Sequence, residues 1–150
     1  DAEDKWSNQH SMDFNQEIHI REELDIQIYL EHHKYLRMSQ TNSGLRYQIA
    51  NREAATGPKA GDGDLVTVDI EISLLDGRIC YETDSLPDRF VLGKSDKETG
   101  LQEGLELMRL HDKARLILPS YLAHGLLGDS QTIPPQSVVI IDVELLNIEK

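Results

Sequence analysis

Few residue patterns in this chain could do chemistry. His32 and His33 are the most visible pair of metal-ligand types. Neighbours on a helix point about 100° apart, so the two cannot easily share one ion. Four residues beyond His33 stands Arg37, which offers no second ligand. The pair reads as part of a solvated helix face, and Glu22, Glu23 and Asp25 read the same way. Gly61-Asp62-Gly63-Asp64 lacks the third glycine and following helix of a dinucleotide loop and the lysine of a phosphate loop. It reads as a turn before a strand. Cys80 is the single cysteine, which forbids an intrachain disulfide and a cysteine-based zinc site. There is no G-x-S-x-G elbow and no Cys–His pairing that the spacing favours. No cofactor or metal is expected.

Composition narrows the partners. The chain has 150 residues, 39% hydrophobic and 28% charged, which is the composition of one globular domain with length to spare. Fifteen Lys+Arg against 27 Asp+Glu leave a net charge of −12. That argues against nucleic acid or anionic lipid as the main partner, because both demand a basic face. The longest apolar run, Val138 to Ile141, is far too short for a membrane span. The sequence opens at Asp1 without an initiator Met, as a processed product would.

The elements that must position any site change character near residue 44. Residues 1–43 hold no Gly, Pro or Val, and carry 9 acids against 4 bases. Asp13 with Gln16 three residues on could open a helix as a capping box. Phe14, Ile18, Leu24, Ile28, Tyr35 and Leu36 fall near helical spacing, so a helix is predicted up to Met38, most firmly from Glu22 to Leu36. Ser39 to Gly44 is a polar break. After it the period becomes two. Leu45, Tyr47 and Ile49 alternate with polar residues, and Val66, Val68, Ile70, Ile72 and Leu74 make a long strand with one buried face. Asp76-Gly77 is a hairpin signal, with a returning strand from Arg78 to Glu82. Phe90 to Leu92 is a short strand. Thr99 to Arg109 reads as a helix with Leu101, Leu105 and Met108 on one face. Ala114 to Leu118 is a strand stopped by Pro119. A loop from Ser120 to Gln136 follows, and Ser137 to Ile148 is the closing strand. The prediction is about six strands, one short central helix and one N-terminal helix.

The loop is the distinctive feature. Leu118-Pro119-Ser120-Tyr121-Leu122-Ala123-His124-Gly125-Leu126-Leu127-Gly128-Asp129, followed by Ile133-Pro134-Pro135, resembles the FKBP-type peptidyl-prolyl isomerases. The resemblance runs in order through 44–149. It includes Leu75-Asp76-Gly77, Phe90-Val91-Leu92-Gly93-Lys94, Gly100-Leu101-Gln102-Glu103-Gly104-Leu105 with Met108, and Ile141-Asp142-Val143-Glu144-Leu145. The leader, with Thr41-Asn42-Ser43-Gly44-Leu45-Arg46-Tyr47, resembles exported bacterial members of that family, among them lipid-anchored isomerases associated with gliding motility. Those are tethered through a cysteine that would here lie upstream of Asp1.

The resemblance implies an α+β fold: a twisted antiparallel sheet of five or six strands wrapped on one short helix, with the acidic extension 1–43 as an appendage and 44–150 as the domain. It implies a substrate pocket at Ile70, Cys80, Tyr81, Phe90, Leu101, His124, Ile133 and Ile141, with no acid, base or nucleophile. Family members are rich in aromatics there. Here Ile70, Cys80, Leu101, His124 and Ile141 stand at aromatic positions, and Tyr81 stands where an Asp is usual. The implied function is a peptidyl-prolyl cis-trans isomerase for proline-containing peptides of exported clients in a bacterial envelope, weakly active because the pocket is depleted. The alternative is a non-catalytic binding module of the same fold.

Overall fold

A computed structural model describes residues 8–50, 57–123 and 137–150, with side chains from residue 15 onward. The order is α1 (Asn8–Glu31), β1 (Ser39–Gln40), β2 (Arg46–Ala50), β3 (Leu65–Leu74), β4 (Ile79–Glu82), β5 (Asp88–Val91), α2 (Thr99–Glu106), β6 (Lys113–Leu118) and β7 (Val139–Glu149). The strands form one antiparallel sheet in the order β1-β2-β6-β7-β3-β4, with β5 also on β3. The pattern predicts about six strands. The seventh, β1, is two residues long and leaves no periodicity to read.

Alternation along β3 turns Val66, Val68, Ile70, Ile72 and Leu74 inward, all buried, while the residues between them stay half-exposed. Directly opposed residues of antiparallel strands share a face, so Ile72↔Ile141 and Ile70↔Val143 carry this apolar surface onto β7. Leu116 and Leu118 extend it onto β6. Across that inner face lies α2, with Leu101 and Leu105 fully buried. Two glycines let it approach closely. A Cβ at Gly104 would fall 2.7 Å from Leu116, and one at Gly100 would fall 2.6 Å from Leu118 and 3.0 Å from Leu122. The helix stops at Glu106, short of the predicted Arg109. The Arg109 backbone instead bridges to Lys59 and donates its N–H to the Asp112 carboxylate.

The N-terminal helix departs further from the prediction. Asp13, expected as its cap, lies inside a helix that already runs from Asn8, and the helix ends at Glu31 rather than near Met38. His33 closes it: its ring stacks on Tyr29 at 3.9 Å, and Nδ1 bonds the Tyr29 carbonyl at 2.7 Å. A histidine at a helix C-terminus satisfies a carbonyl left without an intrahelical donor. The buried stripe is Ile18, Glu22 and Ile26, whereas Leu24 and Ile28, expected to face the core, are exposed together with Ile20. The helix is neither free nor at the sheet edge. It lies on the outer face, where Ile26 packs with Ile117, Val138 and Ile140 of the central strands and their approaches.

Two polar contacts and a ring stack hold it there, and they overturn the solvated-face reading for Glu22 and Glu23, while Asp25 is exposed as that reading expects. Glu22 is buried, and its Oε1 accepts the Ser120 N–H at 3.1 Å. Glu23 forms a two-pronged ion pair with Arg46. That pairing holds the Glu23 carboxyl below its ordinary range against an opposing effect of burial. His19 stacks on Tyr121 at 4.7 Å.

Candidate functional site

The candidate site draws on the inner face of the sheet. Ile70, Leu101, Ile141 and Phe90 are buried in one apolar cluster, and half-buried Cys80 packs against it. Each comes from a different element, so only the closed sheet brings them together. A bulge supplies part of the geometry. Ile72 pairs with Tyr81 and Ser73 with Ile79, leaving Cys80 as the extra residue of β4. Bulges re-aim side chains next to binding sites, and this one lets consecutive residues, Cys80 and Tyr81, serve the same face. Tyr81 sits opposite Ile72, at the exposed edge of the cluster. His124 and Ile133 lie outside the described residues.

Pairing with β3 continues between β4 and β5 through Thr83. Its N–H donates to the Ile70 carbonyl at 2.9 Å, and its hydroxyl accepts the Ile70 N–H at 3.0 Å. This brings β5 alongside the same edge. Asp88 opposes Val68 and Phe90 opposes Val66, so both side chains face inward. The Tyr81 hydroxyl donates to the Asp88 carboxylate, lying 2.8 and 2.9 Å from its oxygens. Lys97 Nζ is 3.4 Å from Asp88 and 5.8 Å from the Phe90 ring centroid. Burial, and then the bond to Asp88, push the Tyr81 phenol up to about 12, so it is neutral at physiological pH. The charges of Asp88, Glu98 and Asp84 act in the same direction.

Sequence reasoning missed Asp88, Lys97 and Thr83. Alternation in Asp88-Arg89-Phe90 carried the signal for Asp88, because residues two apart in a strand share a face. Pairing of Asp88 with a tyrosine from another strand had no local signal.

Neighbouring elements set the approaches. The Gln102 carbonyl oxygen accepts the Gly93 N–H at 2.6 Å, and its amide donates to the Lys97 carbonyl at 2.9 Å, tying the β5–α2 turn to the helix. A 3-10 turn at Ser120–Leu122 packs beside the start of α2, where the Thr99 hydroxyl donates to the Leu122 carbonyl at 3.4 Å. A groove of 620 Å³ lies elsewhere, on the outer face beside Arg115 and Asp142.

Such a floor can act on an amide without a reactive group. The C–N bond resists rotation by a barrier of about 18–20 kcal/mol, which comes from its partial double-bond character. An apolar, water-poor surface favours a twisted amide over a planar one that keeps its full carbonyl dipole. No group of three or more His, Cys, Asp or Glu that could hold a metal occurs among the described residues. No described helix is long and apolar enough to cross a membrane.

Comparison with known proteins agrees with this architecture. The family model for FKBP-type peptidyl-prolyl cis-trans isomerases matches residues 57–146. The FKBP-type isomerase FkpA of Aeromonas hydrophila is 37% identical over 116 residues, covering 75% of this chain and 41% of that protein. The outer membrane protein MIP of Legionella longbeachae is 31% identical over 108 residues, 72% of this chain and 46% of that protein. The crystal structure of FkpA from Escherichia coli superposes with a TM-score of 0.70 at 28% identity, covering 97% of this chain and 74% of that one. The chain spans less than half the length of the curated relatives it matches. With an inner-face floor drawn from β3, β4, β5, α2 and β7, and a family match reaching across all of them, the chain belongs to the FKBP-type peptidyl-prolyl cis-trans isomerases.

Proposed function

We propose that this chain catalyses cis-trans isomerisation of X–Pro bonds in exported proteins of a bacterial envelope, with turnover below that of an aromatic-lined member. The observation that carries the activity is the convergence of Ile70, Phe90, Leu101 and Ile141 in one apolar cluster inside the family-matched region. The prolyl ring is taken against that floor. His124 and Ile133, outside the described residues, belong to the same proposal as substrate-pocket residues. The envelope setting draws support from the printed name of the MIP relative, an outer membrane protein, and from the leader's resemblance to exported members. The leader's link to gliding motility rests on its resemblance alone.

Reduced turnover follows from side-chain size. Ile70, Cys80, Leu101 and Ile141 enclose a ring less tightly than aromatic side chains would, so they exclude less water. Exchange spectroscopy by NMR on short X–Pro peptides tests the reading. The expected result is accelerated exchange, slower than with an aromatic-lined member. Exchange at the uncatalysed rate, with peptide still bound, would establish the second reading, a non-catalytic binding module, which the depleted pocket favours.

A further inference from the structure

The established family accounts for the apolar floor but not for the polar group at its edge. Asp88 lies on the inward face of β5, two residues from Phe90 in the floor. Its carboxylate is held from one side by the Tyr81 hydroxyl and from the other by Lys97. The two partners act differently. Tyr81 is a neutral donor that orients the carboxylate and leaves its charge in place, whereas Lys97 offsets that charge. The charges of Asp88 and Asp84 both reach the Tyr81 hydroxyl, and Lys97 pairs with the first of them. Two carboxylates against this ammonium leave the Tyr81–Asp88 edge negative.

A peptide whose prolyl ring lies on the floor must run its neighbouring residues over this edge. Fixed charge at the lip of a low-dielectric surface is screened less than charge in open water. We infer that Asp88, held by Tyr81 and tempered by Lys97, is a specificity determinant that favours prolines flanked by cationic residues over prolines flanked by acidic ones. Tyr81 is the positioning residue, and Asp88 is the group that meets the substrate. This inference rests on the proposed isomerase reading and names the class of segment that the site prefers.

The test uses capped peptides with Lys, Ala or Glu immediately before or after the proline. Both kcat/KM by exchange spectroscopy and Kd by chemical-shift titration are measured on the full chain. The Lys peptide should exceed the Glu peptide in kcat/KM by about fivefold, the scale of one partly screened charge acting with opposite sign on two substrates. Asp88→Asn should bring the two within about twofold, Lys97→Gln should widen the gap, and added salt should narrow it. A folding defect lowers turnover of all peptides together and leaves their ratio alone, so the opposed shifts of the two variants report on charge. Equal values for the Lys and Glu peptides, with the Ala peptide turned over, would overturn the inference and leave the isomerase reading standing. If no peptide is turned over, the isomerase reading fails. Kd values then decide the inference: the same ordering upholds it, and equal affinities or no binding overturn it.

Discussion

The two faces of one sheet have been used in opposite ways. On the inner face, Val66, Val68, Ile70, Ile72, Ile141 and Val143 meet α2 in a continuous apolar cluster, with the polar group Tyr81–Asp88–Lys97 confined to its edge. The outer face is divided. Over the part of β6 and β7 nearest residues 117 and 138–140 it is apolar and covered by α1. Further along the same strands it is charged: Arg115 opposes Asp142 in a bidentate pair with contacts of 2.7 and 3.2 Å, and Lys113 opposes Glu144. Burial pins the inner face, so changes there should unfold the protein or empty the site. On the outer face an added element has been docked, so changes there should loosen α1 and spare the floor.

The sharpest break in this contrast is a pair of truncations. Leu101→Ala on the inner face should cost about 2–5 kcal/mol, because α2 is packed too closely to collapse into the gap. Urea denaturation measures the loss, and peptide binding should fall with it. Ile26→Ala on the outer face is also a truncation of a fully buried residue. Its cost should sit near the lower end, about 2 kcal/mol, because a surface helix can shift to close the space. Equal losses in stability and in peptide binding would erase the distinction between the faces.

Gly100→Ala comes next in size. The added methyl meets Leu118 and the Cβ of Leu122, and overpacking of this kind costs about 1–3 kcal/mol, partly offset by the gain of about 1 kcal/mol in helix propensity. Gly104→Ala should cost less, since the end of the Leu116 side chain can move aside. A reversed order in thermal melts would show that the 3-10 turn yields more easily than Leu116 does.

A chain beginning at Ser43 separates the faces altogether. It should keep the sheet and α2, because the inner cluster contains no residue before Leu45. Its stability should fall, because Ile117, Val138 and Ile140 lose their cover. Circular dichroism and denaturation decide it, and an unfolded product would make residues 1–43 part of the domain.

Two titrations give the smallest effects. The Glu23 carboxyl is held below its ordinary value of 4.5, chiefly by the Arg46 hydrogen bond. A group with a lowered folded pKa contributes fully above its unfolded value and loses that contribution as pH falls through the folded one. The Glu23–Arg46 link should therefore stabilise at neutral pH and vanish in acid. Arg46 is buried while Glu23 is 41% exposed, so solvent screens the pair in part and it is worth about 1 kcal/mol; Glu23→Gln should flatten that part of the stability–pH curve. Tyr81 has the opposite sign: its phenol is raised from 10.0 to about 12. Its contribution is complete below pH 10.0 and is lost as pH climbs toward about 12. Difference absorbance against Tyr81→Phe isolates this phenol. Asp88→Asn should lower the midpoint only in part, because burial is the larger cause. An unchanged midpoint would remove Asp88 from the account.

Period-two alternation, the Asp76-Gly77 turn and the Leu101/Leu105/Met108 face were legible because each is a local consequence of one buried side. Asp76 accepts the Arg78 N–H at 2.9 Å, and Gly77 takes φ +94°, as that hairpin requires. The α1 face was not legible. Apolar residues lie on two stripes, 18-22-26 and 20-24-28, and the buried one contains a glutamate. The Ser120 N–H, 98 positions away, satisfies one oxygen of the buried Glu22 carboxylate, and the other has no hydrogen-bond partner among the described residues. A partial clue was present in Leu116 to Leu118 and Val138 to Ile141, where unbroken apolar runs mark strands buried on both faces.

By itself the sequence determined six of the seven strands, the central helix, the family and the apolar character of the floor, since these follow from short-range spacing and from motifs in fixed order. Tertiary structure alone decided which face of α1 is buried, that Cys80 is the bulge residue, and that Asp88 is joined to Tyr81 and Lys97. In all three the outcome depends on which segments pair across the sheet and in what register, from the Ser120 N–H 98 positions from Glu22 to the Tyr81–Asp88 bond seven residues apart, and alternation within one segment does not set that register.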